Sequence, residues 1–363
     1  MKIKNILALL CFLCIGVSCS MEDDILSGVD TKGTEANILD TEAVFTLSLS
    51  GNSSMTRAAE TEDPNVATST EATISNCFVA IIKGDNEVLS SYWYETSDLQ
   101  AAKNDYTTDI TRHMIVKVPS KNQPTLKAYA VANLKEETAG KLLACTTLSG
   151  IKEVELVEQP NLLVKLGEQS IGSYKTTAKL ATHDDDNCNK ITIPVFQRAA
   201  AFELASFKVV DTSKGKVNNE YPEVPNVKVV SIEMFAIKLS AKVVGEYGSS
   251  FSEVKDIRHP GDKNPMDPNN GTYGTYDKIR FYGYDNTDGE NVTSMKIVYT
   301  VNGVSMDRTY PIKTGNDTKV VGGNLYKLYV TIGNASEDIE FVIEDWIPNT
   351  LSVGDIFGES ISK

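Results

Sequence analysis

A chain of 363 residues carrying a formal charge of −14 at neutral pH is set apart from nucleic-acid binders and from proteins drawn to anionic membrane surfaces, both of which need a positive face. Its length exceeds what one hydrophobic core supports and points to two domains. Six cysteines are far too few for a disulfide scaffold, and no CxxC metal pair follows the first twenty residues.

The chain opens MKIKNILALLCFLCIGVSCSMEDD. Lys2 and Lys4 precede an apolar run from Ile6 to Val17, too short to span a bilayer as a helix and suited to a secretory signal over residues 1–18. Cys19, directly after small residues, resembles the cysteine of the bacterial lipoprotein box, although Gly16 stands where that box usually has leucine. The resemblance implies cleavage before Cys19, acylation of its thiol, and an outer-membrane anchor to which each buried methylene contributes roughly 0.8 kcal/mol. Glu22, Asp23 and Asp24 look like the surface-export tag of Bacteroidetes lipoproteins. Loss of residues 1–18, with Lys2 and Lys4, takes the charge to −16. Of the later cysteines, Cys77 in NCFVAII reads as a small buried hydrophobe, and Cys145 and Cys188 are a candidate pair.

The first strand signal is AVFTLSLS (43–50). Ala43, Phe45, Leu47 and Leu49 share one face and Val44, Thr46, Ser48 and Ser50 the other, the two-residue period of a half-buried strand. After Gly51 the chain turns small and polar through NSSMTRAAETEDPNVATSTE, which buries little and predicts an exposed loop. Arg57 is the single basic residue in that run. A protease with an arginine pocket would find one target there and leave Ala58 as the new N-terminus.

Further strands are predicted at 73–82, 113–118, 125–133, 190–196, 201–210, 227–239, 278–284, 294–301, 325–332 and 339–346. Each is a short alternating or β-branched run, most of them bounded by Gly, Pro, Asn or Asp. The best helix is LKEETAGKLLA (134–144). Many short strands with polar turns indicate β-sandwiches. The seam between domains is expected after the acidic loop at 183–190, with Pro194 interrupting strand pairing, which gives domains at 58–195 and 196–363. The stretch 245–276, rich in Gly, Pro and Asn, reads as a long loop.

Chemistry-bearing constellations are sparse. The chain lacks GxSxG, HExxH, GxGxxG and Walker patterns, so neither an enzyme nor a cofactor is expected. His113 opens a strand. His183 with Asp184, Asp185 and Asp186 offers oxygen ligands for a cation, but consecutive aspartates in a strand-to-strand loop are more often solvated, and no metal is assigned. His259 lies in the long loop. Two aromatic groups, Tyr92–Trp93–Tyr94 and Tyr273, Tyr276, Tyr282 and Tyr284, could stack on sugars; strand alternation produces the same pattern. Trp346 reads as a core anchor of the last strand.

The order of these pieces resembles a known family. The lipoprotein start, the strand followed by an Arg-Ala site, EATISNCFVAIIKGD, TLKAYAVANL, PVFQRAAAFEL, GGNLYKLYVTI and EDWIPN together look like the FimA-type fimbrillins, the major pilins of Bacteroidetes. The resemblance implies an all-β chain of two transthyretin-like Greek-key β-sandwich domains in tandem. It implies export as a lipoprotein and cleavage after one arginine by an Arg-specific, gingipain-like protease. The cut removes a lipidated propeptide, here 19–57, together with its first strand (Ala43, Phe45, Leu47, Leu49). A strand from another copy or a related pilin subunit then fills the groove. The tail 347–363 is the place for a donor strand, with Leu351, Val353 and Phe357 at even spacing, although Asp355 falls on the same face. The alternative is a monomeric surface-anchored lipoprotein that binds a glycan or a host protein. The two part at Arg57, which only the pilin needs cut.

Overall fold

The computed structural model describes residues 41–51, 69–101, 108–110, 113–157, 163–177, 188–210, 227–245, 256–258, 280–301, 303–313, 316–333 and 337–345. In the first half these form β1 (Thr41–Gly51), α1 (Ser69–Ala72), β2 (Cys77–Lys83), β3 (Glu87–Tyr94), β4 (Leu99–Ala101), β5 (Thr108–Ile110), β6 (Met114–Val118), β7 (Leu126–Ala132), α2 (Glu136–Leu143), α3 (Leu148–Glu153), β8 (Glu155–Val157), β9 (Lys165–Ile171) and β10 (Asn189–Gln197). The second half carries β11 (Ala200–Val210), β12 (Val227–Phe235), β13 (Ser240–Lys242), β14 (Asp256–Arg258), β15 (Arg280–Gly283), β16 (Ser294–Val301), β17 (Val304–Pro311), β18 (Asn324–Gly333) and β19 (Glu337–Asp345). The fold is all-β, as expected, and the predicted helix at 134–144 is α2.

In the first half the strands run β3-β2-β7-β9-β10-β1-β5-β4 in one sheet, with β6 also on β1. The sheet curls round a single core. Inward residues of β1, β2, β6, β7 and β10 meet there, among them Phe45, Leu47, Leu49, Val79, Ile81, Val116, Ala130 and Ile193. In the second half two four-stranded sheets, β15-β11-β18-β19 and β14-β12-β16-β17, face each other across Phe202, Phe207, Ile232, Phe281, Ile297, Tyr299, Tyr326 and Leu328. A third core knits the halves. It joins the outer face of β2 and β7 (Phe78, Ala80, Val131), α2 and α3 (Leu142, Leu148, Ile151) and, from the second half, Ala241, Val243 and Tyr284. The short pair β8–β13 adds main-chain bonds between residues 155–157 and 240–242. Because β2 is covered on both faces, CFVAII reads as an unbroken apolar run instead of alternating.

The structure corrects one expectation. Pro194 does not interrupt pairing: it lies inside β10, opposite Ser50 of β1, and β9 joins the other edge of β10 only from Val195 onward. Gly167 faces this point, where a Cβ would lie 2.3 Å from the Pro194 carbonyl oxygen, so glycine lets the chains approach.

Candidate strand-exchange site

β1 is an interior strand. On one edge it runs parallel to β10, Phe45–Gly51 against Asn189–Val195. On the other it is antiparallel to β6 over Thr41–Phe45 and to β5 at Ser48 and Leu49. Glu42 and Thr177 exchange both main-chain hydrogen bonds at 2.9 Å. Ala43, Phe45, Leu47 and Leu49 are each at most 1% exposed, so the four residues predicted to share a face do share it, inside the core. The opposite face is only partly polar in its surroundings: Val44 is buried while Thr46 and Ser48 are half exposed.

Side chains fasten the strand mainly toward its N-terminal end. The Thr41 hydroxyl donates to the Val118 carbonyl at 3.0 Å. The Asn189 amide nitrogen donates to the carbonyls of Val44 (2.9 Å) and Lys175 (3.0 Å), and its oxygen accepts from the Lys175 N–H at 2.7 Å. The Phe45 ring packs against Tyr174, centroids 6.0 Å apart, and the Tyr174 hydroxyl is tied to the Pro124 carbonyl. Thr46 meets Nδ1 of the exposed His113 at 3.1 Å, and Ser48 meets Thr192 at 2.9 Å. Burial of Phe45, Leu47 and Leu49 stabilises the strand by roughly 1.5–3 kcal/mol each. An empty groove therefore exposes an apolar floor and two rows of unpaired main-chain groups, at about 1–3 kcal/mol for each buried group left unmet.

The chain re-enters the described structure at α1, and there it is held by charge. The buried Glu71 carboxylate accepts from Arg280 Nη1 at 2.9 and 3.3 Å and from the Tyr282 hydroxyl at 2.7 Å. Arg280 Nε donates to Glu203 at 2.9 Å. The Glu71 carbonyl accepts from Lys165 Nζ and Gln197 Nε2, both at 2.7 Å, and Lys165 also reaches the Thr73 carbonyl at 3.1 Å. Burial pushes the Lys165 ammonium down to about 7, against the opposing pull of Glu71. A short helix that could not hold by itself is thus anchored to β9, β10, β11 and β15. Gln197 Oε1 is the one buried side-chain polar atom without a partner among the described residues.

A second hub is Arg198, within the PVFQRAAAFEL motif. It donates to the carbonyls of Val243 (3.0 Å) and Gly245 (2.8 Å), pairs with Asp285 and lies 5.7 Å over the Tyr284 ring. Neither Arg198 nor Glu71 was singled out from sequence as a functional residue. A lone glutamate in STEA carries no signal, and an arginine after a strand reads as solvated.

The remaining candidates are placed as follows. Cys77, Cys145 and Cys188 are free; Cys77 is fully buried and its thiol is pushed far up by burial, as a core hydrophobe should be. Cys188 lies 4.0 Å from His113 Nδ1, and no bridge to Cys145 exists. Tyr94 and Tyr284 are buried, Tyr92 packs against the first-half core and Trp93 against the core that joins the halves, and the Tyr282 hydroxyl is committed to Glu71; these rings follow strand alternation. Among the described residues no group of three or more His, Cys, Asp and Glu is arranged to hold a metal ion. Cys19, Arg57, Ala58, His183, Asp184, Asp185, Asp186, His259, Tyr273, Tyr276, Trp346, Leu351, Val353 and Phe357 lie outside the described residues.

Comparison bears out the resemblance read from the sequence. Residues 43–163 match the family model of the major fimbrial subunit protein FimA, a span that begins at the first inward residue of β1. The fold is similar to that of a candidate cell adhesion protein of Parabacteroides distasonis at 13% identity, covering 86% of this chain and 99% of that one with a TM-score of 0.55. A candidate cell adhesion protein of Bacteroides eggerthii is similar at 17% identity, 86% and 98% coverage and a TM-score of 0.52. The C-terminally truncated tip fimbrial protein Mfa3 of Porphyromonas gingivalis is similar at 10% identity, 84% and 100% coverage and a TM-score of 0.50. No curated protein matches the chain. The family match supports a pilin-type role in adhesion, and the structural neighbours show the shared fold.

Proposed function

From a chain whose first half carries the FimA family pattern, we propose a structural pilin subunit of a surface fimbria, exported as a lipoprotein on Cys19, cleaved between Arg57 and Ala58, and polymerised by strand exchange in support of adhesion or biofilm formation. Residues 1–18 are the signal, 19–57 the lipidated propeptide that contains β1, and two domains follow, 58–195 and 196–363. The observation that carries this reading is the place of β1: an interior, apolar strand that is connected onward only by the polar residues 52–68 with their single arginine. One cut in that stretch turns β1 from part of the chain into a bound peptide. The residues after the stretch stay docked through Glu71, so cleavage opens the groove without loosening the body. The tail, with Leu351, Val353 and Phe357, is the candidate donor to a neighbouring subunit. Partners are copies of this chain and related pilins, with an Arg-specific protease for maturation.

Limited treatment of residues 19–363 with an Arg-specific protease is expected to yield a product starting at Ala58 that forms ladders on a denaturing gel run without boiling. An Arg57→Ala variant that still builds fibres on cells would sink the reading. Resistance of wild type at Arg57 would do the same.

A further inference from the structure

β10 continues for two residues beyond its last pairing with β1. The rungs of the first-half sheet can be followed from strand to strand. One joins Val79, Ala130, Gly167 and Val195 and ends on Gly51 of β1. The next joins Phe78, Val131, Leu166 and Phe196, and the one after it Cys77, Ala132, Lys165 and Gln197; among the described residues neither has a member beyond β10. Both are unfinished at that end. On the outer face Phe78 and Val131 are fully buried, whereas Phe196 is 43% exposed. On the core face Gln197 is buried, its Nε2 donates to the Glu71 carbonyl, and its Oε1 has no partner. A carbonyl only accepts, so that bond fixes which end of the amide is the oxygen. Lys165 holds the same carbonyl from the β9 side; the other side of Gln197 is the side on which β1 runs.

Successive residues of a strand point to opposite faces, so a strand two residues longer than β1 would cover the exposed ring with its first added side chain and meet the amide oxygen with its second. We infer, on the strand-exchange reading, that the donor strand of the neighbouring subunit runs parallel to β10 as β1 does and extends past the Gly51 position by these two residues. The seven rungs from Phe45 to Gly51 then become nine. The first added residue is apolar and lies against Phe196. The second brings a neutral hydrogen-bond donor, a hydroxyl or a carboxamide, to Gln197 Oε1. A carboxylate has no proton to give, and a cation there would stand beside Lys165, the register partner of Gln197. The added pair supplies a driving force for exchange: the incoming strand takes over the groove of β1 and satisfies in addition a buried acceptor that is costly to leave unmet.

The test uses residues 19–363 cut at Arg57 and three labelled peptides: residues 41–51, the same residues followed by Leu-Thr, and the same residues followed by Leu-Ala. Incorporation is followed by fluorescence anisotropy and by release of the original 19–57 fragment. From one apolar contact and one hydrogen bond, the Leu-Thr peptide is expected to bind about 30-fold more tightly than 41–51 and about fivefold more tightly than the Leu-Ala peptide. In a Gln197→Met variant the preference for Thr over Ala is expected to vanish. A Leu-Thr peptide within twofold of 41–51 on the wild-type protein overturns the inference, as does a preference for Thr that survives Gln197→Met. If cleavage occurs but even the 41–51 peptide stays out, β1 is not a removable strand, and the reading beneath the inference falls with it.

Discussion

β1 and β11 hold equivalent places in their halves of the molecule. Each is the first strand of its half, each runs parallel to a late strand (β10 and β18) and antiparallel to another on its far edge, and each plants large apolar residues in a core. They differ in how they are tied to the chain. β11 follows β10 after only Arg198 and Ala199, and Arg198 is pinned by three carbonyls, Asp285 and a tyrosine ring. β1 reaches α1 through residues 52–68, a polar run with one arginine. The two strands share a geometry and differ in the connection, which on the proposed function makes one permanent and the other severable.

The largest expected effect separates the two strands directly. Phe45→Ala and Phe202→Ala should each destabilise the uncut protein by about 3–5 kcal/mol, measured by denaturant unfolding. After cleavage and assembly only the Phe202→Ala loss should persist, because Phe45 has left with its strand; equal losses in both states would erase the distinction. Next, Arg198→Met removes the guanidinium from Asp285, which keeps the Gly322 N–H, and from the carbonyls of Val243 and Gly245. A cost of about 3 kcal/mol in the uncut protein is expected, and a neutral result would show that the hub is not what fixes β11's connection.

Lys165 holds α1 through the Glu71 and Thr73 carbonyls, and its effect is read in pH. Its ammonium loses its proton near 7 in the folded state against 10.5 ordinarily, so between those values the unfolded chain binds more protons. The unfavourable contribution is complete below about pH 7 and fades as pH rises toward 10.5. Chemical unfolding across this window should show stability rising with pH in wild type, and Lys165→Met should flatten that rise; an unchanged slope would assign it to other groups. The smallest effect is Asn189→Ala. Loss of its bonds to Val44 and Lys175 should cost about 1 kcal/mol and speed hydrogen exchange within residues 42–46 while leaving β11 untouched.

Strands were legible where burial is one-sided or complete. AVFTLSLS and SMKIVYTV announce themselves by alternation, and β16 is found at 294–301 as predicted. β17 was not foreseen, because its sequence VSMDRTYP is exposed at every position except Tyr310 and owes its pairing to β16 alone. β9 was missed because KLGEQSI carries a glycine and four polar residues, and its place between β7 and β10 is fixed by long-range pairing. The inward face of β1 was readable to the residue, since Ala43, Phe45, Leu47 and Leu49 alternate with mostly polar neighbours and are all buried. The clasp on Glu71 was not, because its partners stand as many as 211 positions away and only folding brings them together.

The parallel register between β1 and β10 has a mechanical consequence. A donor strand lying where β1 lies, and pulled along its own length, is loaded in shear. The seven rungs from Phe45 to Gly51 share the force and must fail together, instead of opening one by one as a peeled hairpin does. The lifetime of such a junction under tension follows its rate of rupture and not its equilibrium affinity, so a fibre of these subunits would resist flow well beyond what the short length of its linking strands suggests.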